Sequence, residues 1–258
     1  MVTCSDLNDY LCKYSRNAPD NRLINEFLAN HFCKLWNIPT PEAAIIQVDK
    51  EHLPQRFWTN RLSLSQIEKP CIGFLYNDYA KEFDVSFLSM LSDRIDRKKI
   101  LNLEILFTIA YFDIWMCNED RNQNNFNLLL FPEIDGNKIV AIDHGTCFNS
   151  GNLKLGLNTL TETDSLIFSD PFKKLVSVRS NELKTIAEDV ISKGYLCIEN
   201  CLTSVDAVID LMPAEWQIDK IYYKSLIKKN LFSKEWLKTT EDTFRNYLMQ
   251  FKHKKEFN

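Results

Sequence analysis

Residues 118–125 read "NEDRNQNN", and after one short intervening hairpin residues 139–145 read "IVAIDHG". The first stretch is wholly polar, yet it follows directly on "LFTIAYFDIWM" (106–116), one of the most apolar runs in the chain. A solvated loop accounts for the polarity. It does not account for the spacing to a second aspartate.

The segment between the two stretches supplies that spacing. "FNLLLF" (126–131) and "KIVAID" (138–143) read as strands, and "PEIDGN" (132–137) joins them through an Asp-Gly hairpin signal. Antiparallel strands bring Asn125 and Asp143 to the same end of the hairpin, across from each other or nearly so. Opposed residues have Cβ atoms about 5 Å apart. An amide oxygen and a carboxylate at that distance can share one hard cation, and magnesium prefers such oxygen ligands. Asp120 lies five residues before Asn125, close enough to address a substrate hydroxyl beside the metal. An aspartate, an asparagine five on and an aspartate after a hairpin form the phosphoryl-transfer arrangement of the protein-kinase fold. The first Asp orients a hydroxyl and accepts its proton, while the other two residues hold Mg²⁺ against the phosphates.

The N-terminal portion adds a cation. Lys13 sits in "YLCKY", a short strand that ends in the turn "APDN" (18–21). Glu26 sits on the following helix, "RLINEFLANHFCKLW" (22–36), whose apolar residues recur at helical period. A strand lysine paired with a helix glutamate fixes the α- and β-phosphates in kinases. "NIPTPEA" (37–43) stops the helix with two prolines. "AAIIQV" (43–48) and "KPCIGFLY" (69–76) are strand candidates, and "NDYAKEF" (77–83) is a connector. Phe74 and Tyr76, in "FLYN", mark either the segment whose backbone meets adenine or an ordinary strand end.

Beyond residue 83 the chain reads as mostly helical. "RKKILNLEILFTIAYFDIWM" (97–116) is apolar nearly all round, as a core helix should be. Residues 149–180 are loop-like. Ser180 caps a helix over "NELKTIAEDVISK" (181–193), which Gly194 ends, and two or three further helices fill 203–250. His144 is expected to pack or hydrogen-bond rather than ligate, and Arg121 to brace the loop against an acidic group.

Composition narrows the class. The chain has 258 residues, is 45% hydrophobic and 26% charged, and carries a formal net charge of −4. That is long enough for two unequal lobes and gives no global attraction to nucleic acid or anionic membrane. The N-terminus shows no signal peptide, and no apolar run reaches membrane-spanning length. The eight cysteines form no CxxC pair and show no zinc spacing. Cys197 and Cys201 share a helix face, a packing pattern. Reduced thiols without an export signal point to the cytoplasm.

The stretches "DYLCKY", "NRLINEFLANHFCKLWNIPTPEAAIIQV", "DIWMCNEDRNQNNFNLLL" and "KIVAIDHGTCF" together resemble the HipA-like kinases, which are similar to the phosphatidylinositol 3/4-kinases around this loop. The family pattern is a strand lysine, an Asn-Glu helix start, a Leu-Pro-x-Pro-Glu-like segment, Asn-x-Asp-Arg-x-x-x-Asn and Ile-Asp-His-Gly. By this resemblance Lys13 is the ATP lysine, Glu26 its helix partner and Asp120 the catalytic base. Asn125 and Asp143 become the metal ligands. The match covers 9–148 closely and 205–250 loosely, where "MPAEWQID" is similar to the family's C-terminal helices.

The implied fold is α+β: a bilobal protein-kinase-like fold with a truncated N-terminal lobe (1–78) and a mostly helical C-terminal lobe (79–258) carrying the hairpin. The implied activity is ATP- and Mg²⁺-dependent phosphotransfer to a protein Ser or Thr, as in the toxin of a toxin–antitoxin pair. One departure stands out. Kinases cover the phosphates with a glycine-rich turn between two strands, which takes roughly two dozen residues at ordinary strand lengths. Only twelve residues precede Lys13 here, and none is glycine. Three expectations follow: a small partner chain supplies the element, the site works open and slowly, or the protein is a nucleotide-binding pseudokinase or regulatory subunit. A lipid or small-molecule kinase is a further alternative.

Overall fold

Lys13 ends a strand that is paired on both edges. The computed structural model describes residues 1–15, 20–52, 67–90, 98–151, 153–176 and 178–256. In it β1 (Val2–Thr3) pairs antiparallel with β2 (Asp9–Lys13), with Val2 opposite Tyr10 and Thr3 opposite Asp9. The turn between them uses acid and amide chemistry in place of glycine. The Asp6 carboxylate accepts from the Asn8 amide at 3.0 Å and from the Tyr10 hydroxyl at 2.8 Å, and Leu7 takes a φ of 65°. So the segment ahead of Lys13 holds more structure than its sequence suggests. Ala18 and Pro19 of the turn expected at 18–21 lie outside the described residues.

Helix α1 (Asn21–Leu35) starts where the Asp20 side chain accepts from the Arg22 N–H at 3.1 Å. It stops at Asn37, whose φ is 54°, followed by two prolines. Asn30 ties the proline segment back to the helix by donating to the Pro41 carbonyl at 2.9 Å. Strands β3 (Ala43–Ile46) and β4 (Cys71–Leu75) complete a four-stranded antiparallel sheet in the order β1-β2-β4-β3.

A second sheet carries the hairpin. Strands β6 (Leu128–Glu133) and β7 (Gly136–Ala141) are joined by a two-residue turn at Ile134 and Asp135. The segment expected as a plain connector contributes β5 (Lys81–Glu82), which pairs with Leu130 and Leu129 of β6. Short α2 (Val85–Met90) follows it.

The core helix is shorter than its apolar run. Helix α3 spans Ile105–Met116, and residues 98–104 form turns. The reason is competition for backbone groups. Leu101 donates its N–H to the Asn137 carbonyl at 2.9 Å, and Asn102 bonds both backbone groups of Ile139 at 2.8 and 3.2 Å. Residues 149–180 are also more ordered than a loop. They hold 3₁₀ turns at Leu153–Leu155, Glu162–Asp164 and Leu166–Phe168, then α4 (Asp170–Leu175). Leu153, Leu160, Leu166, Ile167 and Phe172 from this stretch are buried in the main core.

Helix α5 (Ser180–Asp210) runs straight through Gly194, which the sequence marks as a stop. Gly194 is there for space. A Cβ would stand 2.6 Å from Tyr111 Cε1 and 3.2 Å from Trp36 Cη2. Helices α6 (Lys220–Leu231) and α7 (Lys234–Glu256) close the fold. One main core joins α1 and α3 to the hairpin and the C-terminal helices, with Trp36 against Tyr111, Phe112 and Trp115 at ring separations of 5.7, 5.4 and 5.4 Å. Trp216 donates to the Pro70 carbonyl at 2.8 Å, linking the C-terminal helices to the first sheet. Among the described residues, no helix is long and apolar enough to cross a membrane.

Gly194→Ala tests the close approach. Helix propensity alone favours alanine by about 1 kcal/mol, but overpacking costs about 1–3 kcal/mol. The expected result is a net loss of stability in urea unfolding; a net gain would mean that the Tyr111 ring yields freely.

Candidate active site

Asn25 and Glu26 are buried in the middle of α1, where unpaired polar groups would be costly. Both are fully used. Glu26 pairs with the Lys13 ammonium and accepts the His144 N–H at 3.1 Å. Asn25 donates to the Gly145 carbonyl at 3.0 Å and to the Cys147 carbonyl at 2.8 Å. Two consecutive helix residues thus grip the whole segment that follows β7.

Lys13 also reaches that segment. Its ammonium lies 2.8 Å from Asp143 Oδ1 and 5.7 Å from the centre of the Phe74 ring. Asp143 has a φ of 56° and a half-exposed side chain. The ladder continues past β7, because Ile142 donates its N–H to the Asn127 carbonyl at 3.0 Å. Extending the Leu128–Ala141 register sets Phe126 opposite Asp143 and Asn125 one residue away. Asn125 has an exposed side chain, and its N–H donates to Asn122 Oδ1 at 3.2 Å. Asp120 is half-buried and accepts from Asn127 Nδ2 at 3.1 Å.

A buried layer supports these groups. Arg121 is fully buried, with Nε 3.5 Å from Asp113 Oδ2, and it donates from Nη2 to the Ile142 carbonyl at 2.9 Å. The same Nη2 lies 3.0 Å from His144 Nε2. Since a guanidinium only donates, that ring nitrogen accepts. Burial and then the Arg121 charge hold the His144 pKa well below its usual range, so the ring is neutral. Asn118 donates to Asp113 Oδ1 at 3.0 Å and accepts from the Thr146 hydroxyl at 2.9 Å.

Glu119 reaches further along the chain. It accepts from Asn149 Nδ2 at 3.0 Å and from the Ser150 hydroxyl at 3.1 Å. Phe148, Asn149 and Ser150 have φ values of 60°, 50° and 58°. Each left-handed residue costs about 1–2 kcal/mol. Burial of Phe148 and a 2.8 Å bond from the Asn158 N–H to Asn149 Oδ1 offset that cost.

A cleft of about 290 Å³ lies between β2, β4 and the hairpin, lined by residues that include Leu11, Lys13, Phe74, Tyr76, Leu129 and Asp143. Its size is near the lower end for ligand pockets, about 300–1,000 Å³. The N–H groups of Leu75 and Tyr76 are already bonded to the Glu42 and Asp9 carbonyls, both at 2.8 Å. Neither of these two N–H groups is therefore free to donate to a base. A larger groove of about 720 Å³, lined by Phe107, Leu175 and Val190 among others, holds none of the candidate groups.

Charge tuning follows from this geometry. Burial pushes the Lys13 ammonium toward losing its proton, but Glu26 and Asp143 outweigh burial and raise its pKa. Burial acts against ionised Asp143 too, and Lys13 outweighs it, so that pKa is lowered. Burial dominates at Glu26 and lifts it to about 7 against the opposing pull of Lys13.

The family model for HipA-like kinases matches residues 1–248 of this chain. The chain belongs to the HipA-like kinase family. A search of curated proteins finds no matching sequence. Among solved structures, the chain is similar to the proinflammatory kinase CtkA of Helicobacter pylori. The identity is 14% and the TM-score 0.51, over 99% of this chain and 91% of that one. It is also similar to HipA of Shewanella oneidensis MR-1, solved with HipB and operator DNA. There the identity is 11% and the TM-score 0.41, over 95% of this chain and 58% of that one. Family membership and the CtkA match make the fold the α+β, bilobal protein-kinase-like one.

Within this HipA-like chain, Lys13, Glu26 and Asp143 meet directly, and Phe74 and Tyr76 line the same cleft. Asp120 and Asn125 lie on the loop leading into β6. The oxygen donors of Asn125 and Asp143 fit a hard cation by type. Sequence reading gave no role to Glu119, Asn127 or Asn149, and Asn25 entered it only as part of the Asn-Glu helix start. A pair of adjacent polar residues inside an apolar helix could have flagged Asn25.

Two outcomes test the site. Asp113→Leu leaves the Arg121 guanidinium buried without its carboxylate and should cost about 3–5 kcal/mol, most of it recovered in Asp113→Leu/Arg121→Met. Urea unfolding of the three proteins checks it, and additive losses would mean that the pair is not coupled. Glu26 sets a pH dependence. Between its ordinary value of 4.5 and about 7, folded Glu26 holds a proton that the unfolded chain has released. Its contribution to stability therefore falls as pH rises through that window. Glu26→Gln should flatten this fall, and a parallel pH profile for the variant would contradict the assignment.

Proposed function

We propose that this chain transfers the γ-phosphoryl group of ATP to the hydroxyl of a protein Ser or Thr. The observation that carries the reading is the Lys13–Glu26–Asp143 cluster at the mouth of a ligand-sized cleft, beside the loop bearing Asp120 and Asn125. Lys13, held by Glu26, binds the α- and β-phosphates. Phe74 and Tyr76 line the base end. Asn125 and Asp143 would hold Mg²⁺, which would supply positive charge to offset that of the phosphates. Asp120 orients the acceptor hydroxyl. Its oxygen bonds to the γ-phosphorus, the bond to the β,γ-bridging oxygen breaks, ADP leaves and the hydroxyl proton passes to Asp120. Family membership supports a role as the toxin of a toxin–antitoxin pair and a protein as the acceptor.

One contact favours a second reading. Asp143 is bonded to Lys13, so the carboxylate meant for a metal already has a cation. In that reading the chain binds nucleotide without transferring phosphate.

Labelled phosphate from ATP separates the two. Asp120→Asn should lower transfer about 10²–10⁴-fold while leaving nucleotide affinity unchanged. Equal incorporation by both proteins, or none by the wild type, would end the enzyme reading. Asp143→Ala should weaken Mg²⁺–ATP binding about tenfold or more. Its cost in stability should stay near the roughly 1–2 kcal/mol of a positive φ at alanine. Unfolding of that variant would assign Asp143 a structural role.

A further inference from the structure

We infer that Asn127 is the positioning residue for Asp120, a role that rests on the phosphotransfer reading above. Three observations meet at this residue. Its Nδ2 donates to Asp120 Oδ2 at 3.1 Å. Its carbonyl accepts the Ile142 N–H at 3.0 Å, one residue before Asp143. Its own φ is 47°, a conformation that asparagine adopts more readily than most residues. One residue therefore ties the carboxylate that takes the proton to the strand end that presents the second carboxylate.

The physical need for such a tie is specific. The outer torsion of an aspartate is broad, so an unheld carboxylate spreads over many orientations. The loop from Asn122 to Asn125 folds on itself, with Asn122 Oδ1 accepting from Asn124 and Asn125 at 2.9 and 3.2 Å. Those bonds shape the loop and leave the Asp120 carboxylate untouched. An amide on Oδ2 fixes the carboxylate plane and leaves Oδ1 for the incoming hydroxyl. Alignment of this kind acts on the chemical step, where a displacement of about 1 Å can cost about 10²-fold.

Two variants separate positioning from folding. Asn127→Gly keeps the left-handed backbone without strain and removes the amide. Asn127→Asp keeps the shape and replaces the donor with a repelling carboxylate. Both are assayed by labelled phosphate transfer beside the wild type, with Kd for Mg²⁺–ATP and Tm measured in parallel. The expected result is kcat lower by about tenfold in the Gly variant and about a hundredfold in the Asp variant. Kd for nucleotide should stay within about twofold, and Asn127→Ser, which restores a donor, should regain part of kcat.

Wild-type kcat in both Gly and Asp variants overturns this assignment alone. So does a kcat that holds while Kd for Mg²⁺–ATP rises, because that would make Asn127 a metal ligand. A loss of kcat that tracks a fall in Tm in all three variants overturns it as well. Absence of transfer by the wild type overturns both this role and the proposed function.

Discussion

Everything near the cleft depends on two adjacent side chains in one apolar helix. Asn25 and Glu26 together bond Lys13, His144, Gly145 and Cys147. They convert α1 from a packing element into a clamp across three parts of the chain. Burial makes the clamp strict. A polar group inside a core that loses its partner costs far more than the bond contributes when made, so these four contacts form together or the helix does not seat.

The same logic runs one layer deeper. Arg121, Asp113, Asn118 and His144 are all buried, and they join the end of α3 to the segment after β7. The two layers share the residues around Asp143. The catalytic-type loop is thus held from behind by charge, and the segment after β7 is held from the side by α1. Its polar front faces solvent through Asn124 and Asn125.

Much of this was legible in the sequence because it depends on period and spacing. The hairpin, the α1 helix and the strand around Lys13 follow from alternation, helical period and turn residues. The pairing of Lys13 with Glu26 follows from their closeness in sequence. What the sequence hid was set by neighbours distant along the chain. Gly194 looks like a helix stop until Tyr111 is placed against it. The apolar run from residue 97 looks helical throughout until Asn102 is claimed by Ile139. The Ser- and Thr-rich stretch after 149 looks like loop because its apolar residues recur without a fixed period. Leu153, Leu160, Leu166, Ile167 and Phe172 are buried all the same, and the 3₁₀ turn at Leu166–Phe168 packs on α3 and α7. Counting from the turn sets Asn125 and Asp143 across from each other or nearly so, and the extended register sets them one residue apart.

The left-handed turn at Phe148, Asn149 and Ser150 ties its own upkeep to distant parts of the chain. A newly made chain has no local reason to hold three consecutive side-chain-bearing residues in that twist. The contacts that offset it come from Glu119, thirty-one positions before Ser150, and from Asn158 downstream. The turn therefore rests on groups outside it rather than on its own local preference.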